Sequence, residues 1–230
     1  MDYSGVWFRK TKYMRPGADM FLDLSRNTKD LKVIFDVGGN IGQTVGLFKQ
    51  AYPKSVIYSF EPVAETFKEL ERNTLTFTNV HCKNIALGSE RAEIEIILND
   101  NPTSGTNTLN PDRMNKRPDA KREVIQVETL DSFAESENLK HINMLKIDTE
   151  GWELNVLKGA NNFIKNGAID FLLCEVGFSP ENKLNTYFPE LNEYLIQYGY
   201  SVFALYDYGH KRIKSGDHYA NALFINRNLK

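Results

Sequence analysis

A doubly wound α/β fold, with a mostly parallel sheet and helices on both faces, is what this sequence of 230 residues predicts. Three observations carry that expectation. Short apolar runs of strand length recur at 33–37, 56–60, 144–148 and 169–176. Segments of helical period stand between them, at 43–52, 63–70 and 152–164. The first run leads into a glycine turn, the second leads into Glu61 and the third ends in Asp148, as expected where a parallel strand meets a ligand-binding loop. Hydrophobic residues make up 41% and charged residues 25% of the chain, a globular balance, and the length suits one well-covered core.

The elements follow in order. Residues 1–30 mix aromatic and basic side chains and read as an N-terminal segment, either a cap over the active site or a helix packed on the sheet edge. Residues 31–230 read as one domain. Val33–Val37 is a buried strand, followed by a helix with Val45, Phe48 and Tyr52 on one face. Val56–Phe60 is a second strand; Pro62 suits the start of the next helix, which carries Val63, Phe67 and Leu70. A third strand with its exit turn covers 81–87. Residues 92–98 alternate with strand period, and 123–128 is extended again. Between them lies a polar insertion, 99–122, with three prolines and few apolar side chains. Such a loop is either a lid or a solvated segment. It offers Ser104, Thr106, Asn107 and Thr108, then the basic residues Arg113, Lys116, Arg117, Lys121 and Arg122. Residues 144–148, an amphipathic helix through Val156, Leu157 and Ile164, and a central strand at 169–176 resume the alternation. After a helix marked by Leu191 and Leu195, strands at 201–205 and 222–226 are expected to be antiparallel, because 206–219 has no helical period for a crossover.

Composition narrows the function classes. With a net charge of -2, no general polyanion-binding surface is expected, and no nucleic-acid partner is assigned. Cys82 and Cys174 have no metal-ligand spacing and read as buried free thiols. The N-terminus lacks the apolar stretch of a signal peptide and no run is long enough to cross a bilayer, so a cytoplasmic protein without a membrane span is expected. The oligomeric state stays open, a homodimer included.

Ligand chemistry concentrates after the strands. Asp36, Gly38, Gly39, Asn40 and Gly42 form an acid followed by a glycine-rich turn that opens a helix. A dinucleotide fingerprint needs glycine at the first, third and sixth positions, where this turn has Gly38, Asn40 and Gln43. Asp36 also disfavours a pyrophosphate and favours a cation, and S-adenosyl-L-methionine carries both a sulfonium and an ammonium. Glu61 closes the next strand and is followed by Pro62; an acid there can accept the hydroxyls of an adenosine ribose. Asn84 and Ala86, after the third strand, would lie beside the adenine.

The segments DVGGNIGQT (36–44), FEP (60–62), NIALG (84–88), VETLDSF (127–133) and LKIDTEGWELNVLKGA (145–160) resemble the FkbM-type methyltransferases of the class I S-adenosylmethionine-dependent superfamily. The resemblance implies a Rossmann-like, seven-stranded sheet with an antiparallel final strand. It also implies methyl transfer from S-adenosyl-L-methionine to a hydroxyl oxygen, often on a sugar or natural-product scaffold.

Such a transfer needs an aligned acceptor and a general base. Asp148, Glu150 and Glu175 are the first candidates, since crowded carboxylates raise one another's proton affinity; Asp148 is also a cofactor-site candidate. Glu153 is expected on the helix surface and is left out. His218 is a second candidate for the base, while His81 and His141 read as structural or solvated. A divalent cation held by the three carboxylates is a rival reading, but no metal is assigned. The alternatives are a nucleic-acid or protein methyltransferase on the same fold, an NAD-dependent oxidoreductase, and a non-catalytic module that keeps the cofactor fold.

Overall fold

The computed structural model describes residues 15–98, 121–182, 184–209 and 218–228. A central sheet runs in the order β10-β11-β8-β7-β1-β2-β3, and the two-residue β9 (Thr186–Tyr187) adds to β8. Its strands are β1 (Val33–Val37), β2 (Val56–Phe60), β3 (Val80–Lys83), β7 (Ile142–Ile147), β8 (Ile169–Gly177), β10 (Tyr200–Gly209) and β11 (Tyr219–Asn226). All pairs from β3 to β8 are parallel, whereas β11 is antiparallel to both β8 and β10. The doubly wound sheet and the antiparallel final pair are therefore as expected. The last strand in sequence lies inside the sheet rather than at its edge.

Period-two alternation divides the apolar residues between two faces. Phe35, Val37, Tyr58, Phe60, Leu145 and Leu172 face α4 (Leu130–Ser136), α5 (Glu153–Gly159), α6 (Asn161–Lys165) and α7 (Phe188–Ile196). There Phe133 of α4 packs edge-on against Phe60, with ring centroids 4.9 Å apart. Ile34, Ile57, Met144 and Phe171 face α1 (Met20–Asn27), α2 (Gln43–Ala51) and α3 (Ala64–Thr74). Completely burying one such side chain contributes about 1.5–3 kcal/mol, so the two layers together are the main source of stability.

The third strand departs from expectation. β3 stops at Lys83, and Ala86–Leu87 form a separate strand, β4, in a second sheet of order β4-β6-β5. Here β5 (Ala92–Ile97) pairs antiparallel with β6 (Arg122–Glu128). Ala86, Ile96, Leu98, Ile125 and Val127 form a core of their own with Val63. Alternation made 92–98 legible as a strand and 123–128 read as extended; their pairing depends on contacts that sequence spacing does not reveal.

Of the N-terminal segment, α1 packs Phe21 edge-on against Phe48, and Asp23 accepts a hydrogen bond from the Tyr206 hydroxyl at 2.8 Å. Of the polar insertion, Lys121 and Arg122 are described, and Arg122 opens β6. Residues 99–120, with Ser104, Thr106, Asn107, Thr108, Arg113, Lys116 and Arg117, lie outside the described residues, as do 1–14 and His210. Cys82 on β3 and Cys174 on β8 are free thiols on strands that are not neighbours. Among the described residues, no helix is long and apolar enough to cross a membrane.

Candidate active site

β1 leaves the sheet through Gly38 (φ 78°), Asn40 (φ 46°) and Gly42 (φ 92°), all in the left-handed region. Gly42 caps α2. The N–H groups of Gly38 and Gly39 both donate to the carbonyl of Phe60, at 3.0 and 2.9 Å, which ties the turn to the end of β2. A Cβ on Gly38 would run into the carbonyl oxygen of Asp148. Glycine is thus needed twice over at this position, for its φ and for the close backbone approach.

A cavity of about 690 Å³, including the open space at its mouth, lies between this turn and the ends of β2 and β7. Six of the expected cofactor residues line it: Gly38, Asn40, Glu61, Pro62, Ala86 and Asp148. Val63, Leu87, Ile96 and Trp152 add apolar surface, and Thr149 and Glu150 continue the wall. Glu61 Oε2 accepts from the Asn40 N–H at 3.1 Å and Oε1 from the Val63 N–H at 3.0 Å. Burial outweighs these bonds and pushes the Glu61 carboxyl up to about 7. Two buried polar atoms of the wall, Asn40 Oδ1 and Trp152 Nε1, have no hydrogen-bond partner among the described residues. In a native interior such atoms are exceptions that call for a ligand or water.

The other four cofactor candidates stand behind the wall. Asn84 Nδ2 donates to the carbonyls of Glu61 and Pro62, both at 2.9 Å, and so braces that loop. Gly39 packs on Ser59, and Gly42 packs on Leu70 and Thr74. Asp36 is completely buried, accepts from the Ser59 hydroxyl at 2.9 Å and forms an ion pair with Lys146 at 3.2 Å. Its charge is already met inside the protein, which differs from the expectation that it faces a cationic ligand directly.

β7 and β8 are neighbours, and their ends bring three acids together. Carboxylate oxygens of Asp148, Glu150 and Glu175 lie within 4.8 Å of one another, close enough to share a cation. Glu150 has φ 55°, an uncommon backbone for a non-glycine residue. The Glu175 carboxyl is pushed up to about 8, first by burial and then by Asp148, Glu150 and Glu153, with Lys146 acting in the opposite direction. The Asn185 amide donates to Glu175 Oε2, and is itself held by Asn182 Nδ2 at 3.0 Å.

Two residues were misjudged from sequence. Glu153, expected on the helix surface, is completely buried. The chain turns back through Glu150 and Gly151 (φ 95°), which aims backbone donors at its carboxylate. Oε1 accepts from the Thr149 N–H, the Thr149 hydroxyl and the Gly151 N–H, and Oε2 from the Thr186 N–H and hydroxyl. Lys146, passed over inside an apolar run, is 6% exposed. Burial pulls its ammonium down, but Asp36, Asp148 and Glu175 more than offset this and hold it above the ordinary lysine value.

The His218 carbonyl, just before β11, accepts from the Phe178 N–H at 3.1 Å, and the residue is not among those lining the cavity. His81 stacks on Tyr58 within the sheet, and His141 Nε2 lies 2.9 Å from Asp170.

The sequence profile described as Methyltransferase FkbM domain matches residues 36–202. "Methyltransferase 1" of Beauveria bassiana is 33% identical over 149 residues, 58% of this chain and 60% of that protein. "Hexuronic acid methyltransferase AglP" of Haloferax volcanii is 26% identical over 198 residues, 81% of this chain and 77% of that one. Among solved structures, the METTL16 MTase domain superposes with a TM-score of 0.52 at 11% identity, over 90% of this chain and 64% of that one. TrmK of M. capricolum, in complex with S-adenosyl-homocysteine, superposes with a TM-score of 0.50 at 12% identity, over 86% and 62%. At such identities the likeness shows the fold alone. The chain thus spans about three fifths of the Beauveria bassiana relative and of each of these two solved chains.

Proposed function

The chain belongs to the FkbM methyltransferase family, and on that premise we propose that it transfers a methyl group from S-adenosyl-L-methionine to a hydroxyl oxygen of a sugar or sugar-bearing small molecule. The observation that carries this reading is the continuity of the cavity: one wall runs from the glycine turn and Glu61 to Asp148 and Glu150, which stand beside Glu175. A donor pocket and a proton acceptor are thereby adjacent.

The residues fit the cofactor. When bound, it supplies an electrophilic methyl group on a sulfonium. Glu61 presents its carboxylate to ribose hydroxyls while two backbone N–H groups fix its orientation. Asn40 Oδ1, without a partner among the described residues, and the Asp148 carboxylate offer acceptors to an ammonium. Val63, Ala86, Leu87 and Ile96 form an apolar slot for a flat base, and the unpartnered Trp152 indole N–H can donate within it.

Beyond the Asp148–Glu150 end of the wall, the group of carboxylates that Glu175 completes receives the acceptor's hydroxyl proton. A carboxyl raised to about 8 is a stronger base than an ordinary one, and Glu175, held by Asn185, is the residue so tuned. This cluster is preferred to His218 because two of its members, Asp148 and Glu150, line the cavity. A sugar acceptor is supported by the similarity to the Haloferax volcanii hexuronic acid methyltransferase.

Calorimetric titration with S-adenosylhomocysteine, with NAD as control, tests the cofactor. Methyl transfer to a panel of hexoses and hexuronates then tests the acceptor. Binding of NAD alone would overturn the reading, and binding of neither would favour a non-catalytic module. A second reading, a divalent cation shared by the three carboxylates, has the 4.8 Å spacing in its favour. Loss of turnover in a chelator, restored by Mg²⁺, would establish it.

A further inference from the structure

Lys146 makes more contacts than a counter-ion requires. It sits opposite Asp36 in the register of β1 and β7, so the two side chains emerge together on one face of the sheet. Pairing with Asp36 at 3.2 Å would suffice to neutralise a completely buried carboxylate. The same ammonium also donates to the carbonyl of Gly38 at 2.9 Å and lies 3.6 Å from the carboxylate of Asp148. Those two residues line the cavity on either side of the place where Asp148's own carbonyl closes on Gly38. One buried cation therefore ties three chain segments: the end of β1, the glycine turn and the exit of β7.

We propose that Lys146 is a positioning residue, whose ammonium holds the glycine turn and Asp148 at a fixed separation and so keeps the donor pocket in register with the carboxylates at its far end. It touches neither reactant and acts through Gly38 and Asp148. The contact geometry explains why a lysine stands in a strand otherwise buried among Met144, Leu145 and Ile147. It also explains how Asp36 can be completely buried at the edge of a site for a cationic ligand: its charge is used internally. The inference rests on the proposed cofactor reading.

A double-mutant cycle separates positioning from simple charge neutralisation. Four proteins of the 230-residue chain are titrated with S-adenosylhomocysteine by calorimetry, well below their melting temperatures: wild type, K146M, D36N and D36N/K146M. The D36N background removes the buried charge, so a variant lacking Lys146 can be compared there even if K146M alone fails to fold. Loss of the ammonium's contacts to the Gly38 carbonyl and the Asp148 carboxylate is expected to make D36N/K146M bind about tenfold or more weakly than D36N. Its melting temperature should fall by some degrees through loss of the same contacts, so affinity is compared where both proteins are fully folded. Equal affinities for D36N and D36N/K146M would reduce Lys146 to a folding counter-ion and overturn the proposal. Absence of binding to the wild type would instead remove the cofactor reading on which it stands, a distinct result.

Discussion

Replacing Glu61 by Gln should change how stability depends on pH, and the sign can be worked out in advance. Burial raises this carboxyl from its ordinary 4.5 to about 7, so the folded chain holds the proton more tightly than the unfolded chain does. The contribution of Glu61 is therefore fully present below pH 4.5 and is lost as pH rises to about 7. A gap of that size corresponds to about 3 kcal/mol, at about 1.36 kcal/mol per pH unit. Gln does not titrate. It also reproduces only one of the two bonds from Asn40 and Val63, a loss of about 1–3 kcal/mol that does not vary with pH. Urea unfolding of wild type and E61Q without cofactor, at half-unit steps from acid to mildly alkaline pH, isolates the titrating part, since other groups are common to both. The difference should move in favour of E61Q by about 3 kcal/mol across the window and level off above it. A difference that stays constant with pH would refute the reasoning, because it would mean that Glu61 does not carry a raised proton affinity in the folded chain. In the same variant, S-adenosylhomocysteine should bind more weakly.

Other outcomes follow from the same geometry. Gly38→Ala forces a Cβ toward the Asp148 carbonyl at φ 78°, and should destabilise by about 2–4 kcal/mol in a thermal melt. Glu153→Ala leaves the N–H groups of Thr149, Gly151 and Thr186 without their acceptor, so the urea midpoint should fall by the equivalent of about 3 kcal/mol or more. Glu175→Gln should leave S-adenosylhomocysteine affinity intact and lower turnover about 10²–10⁴-fold. Because Glu175 must lose its proton to act as the base, wild-type turnover should rise with pH toward about 8, and this limb should vanish in the variant.

Much of this molecule could be read from local pattern. The strands at 33–37, 56–60 and 169–176 and the glycine turn depend on period and on φ, both of which leave marks in sequence. Asp148, Glu150 and Glu175 were legible as strand-end acids, and the adjacency of β7 and β8 brings them together. The residues that escaped are those whose role is set across the sheet. Lys146 looked like an interruption of an apolar run because its partner Asp36 is 110 residues away. Glu153 has the spacing of a surface acid at a helix start, and its donors arrive from a left-handed turn and from β9, two features without a local mark. Local pattern identified β5 and β6 as extended but could not say that they leave the main sheet to form a second one with β4.

The place of β11 between β8 and β10 bears on the order in which the chain is assembled during synthesis. β10 leaves the ribosome first but has no edge to join, since its hydrogen-bonding partner is β11. Until then β8 presents an open edge along residues 171–177, and Glu175 lacks the strand that will pair beside it through Asn221. The strands from β1 to β8 can form early in a vectorial process, whereas the acid end of the site is enclosed by the final strand. A nascent chain stalled before Tyr219 would display unpaired β8 and β10 together, a ready target for chaperones or for another copy's strand.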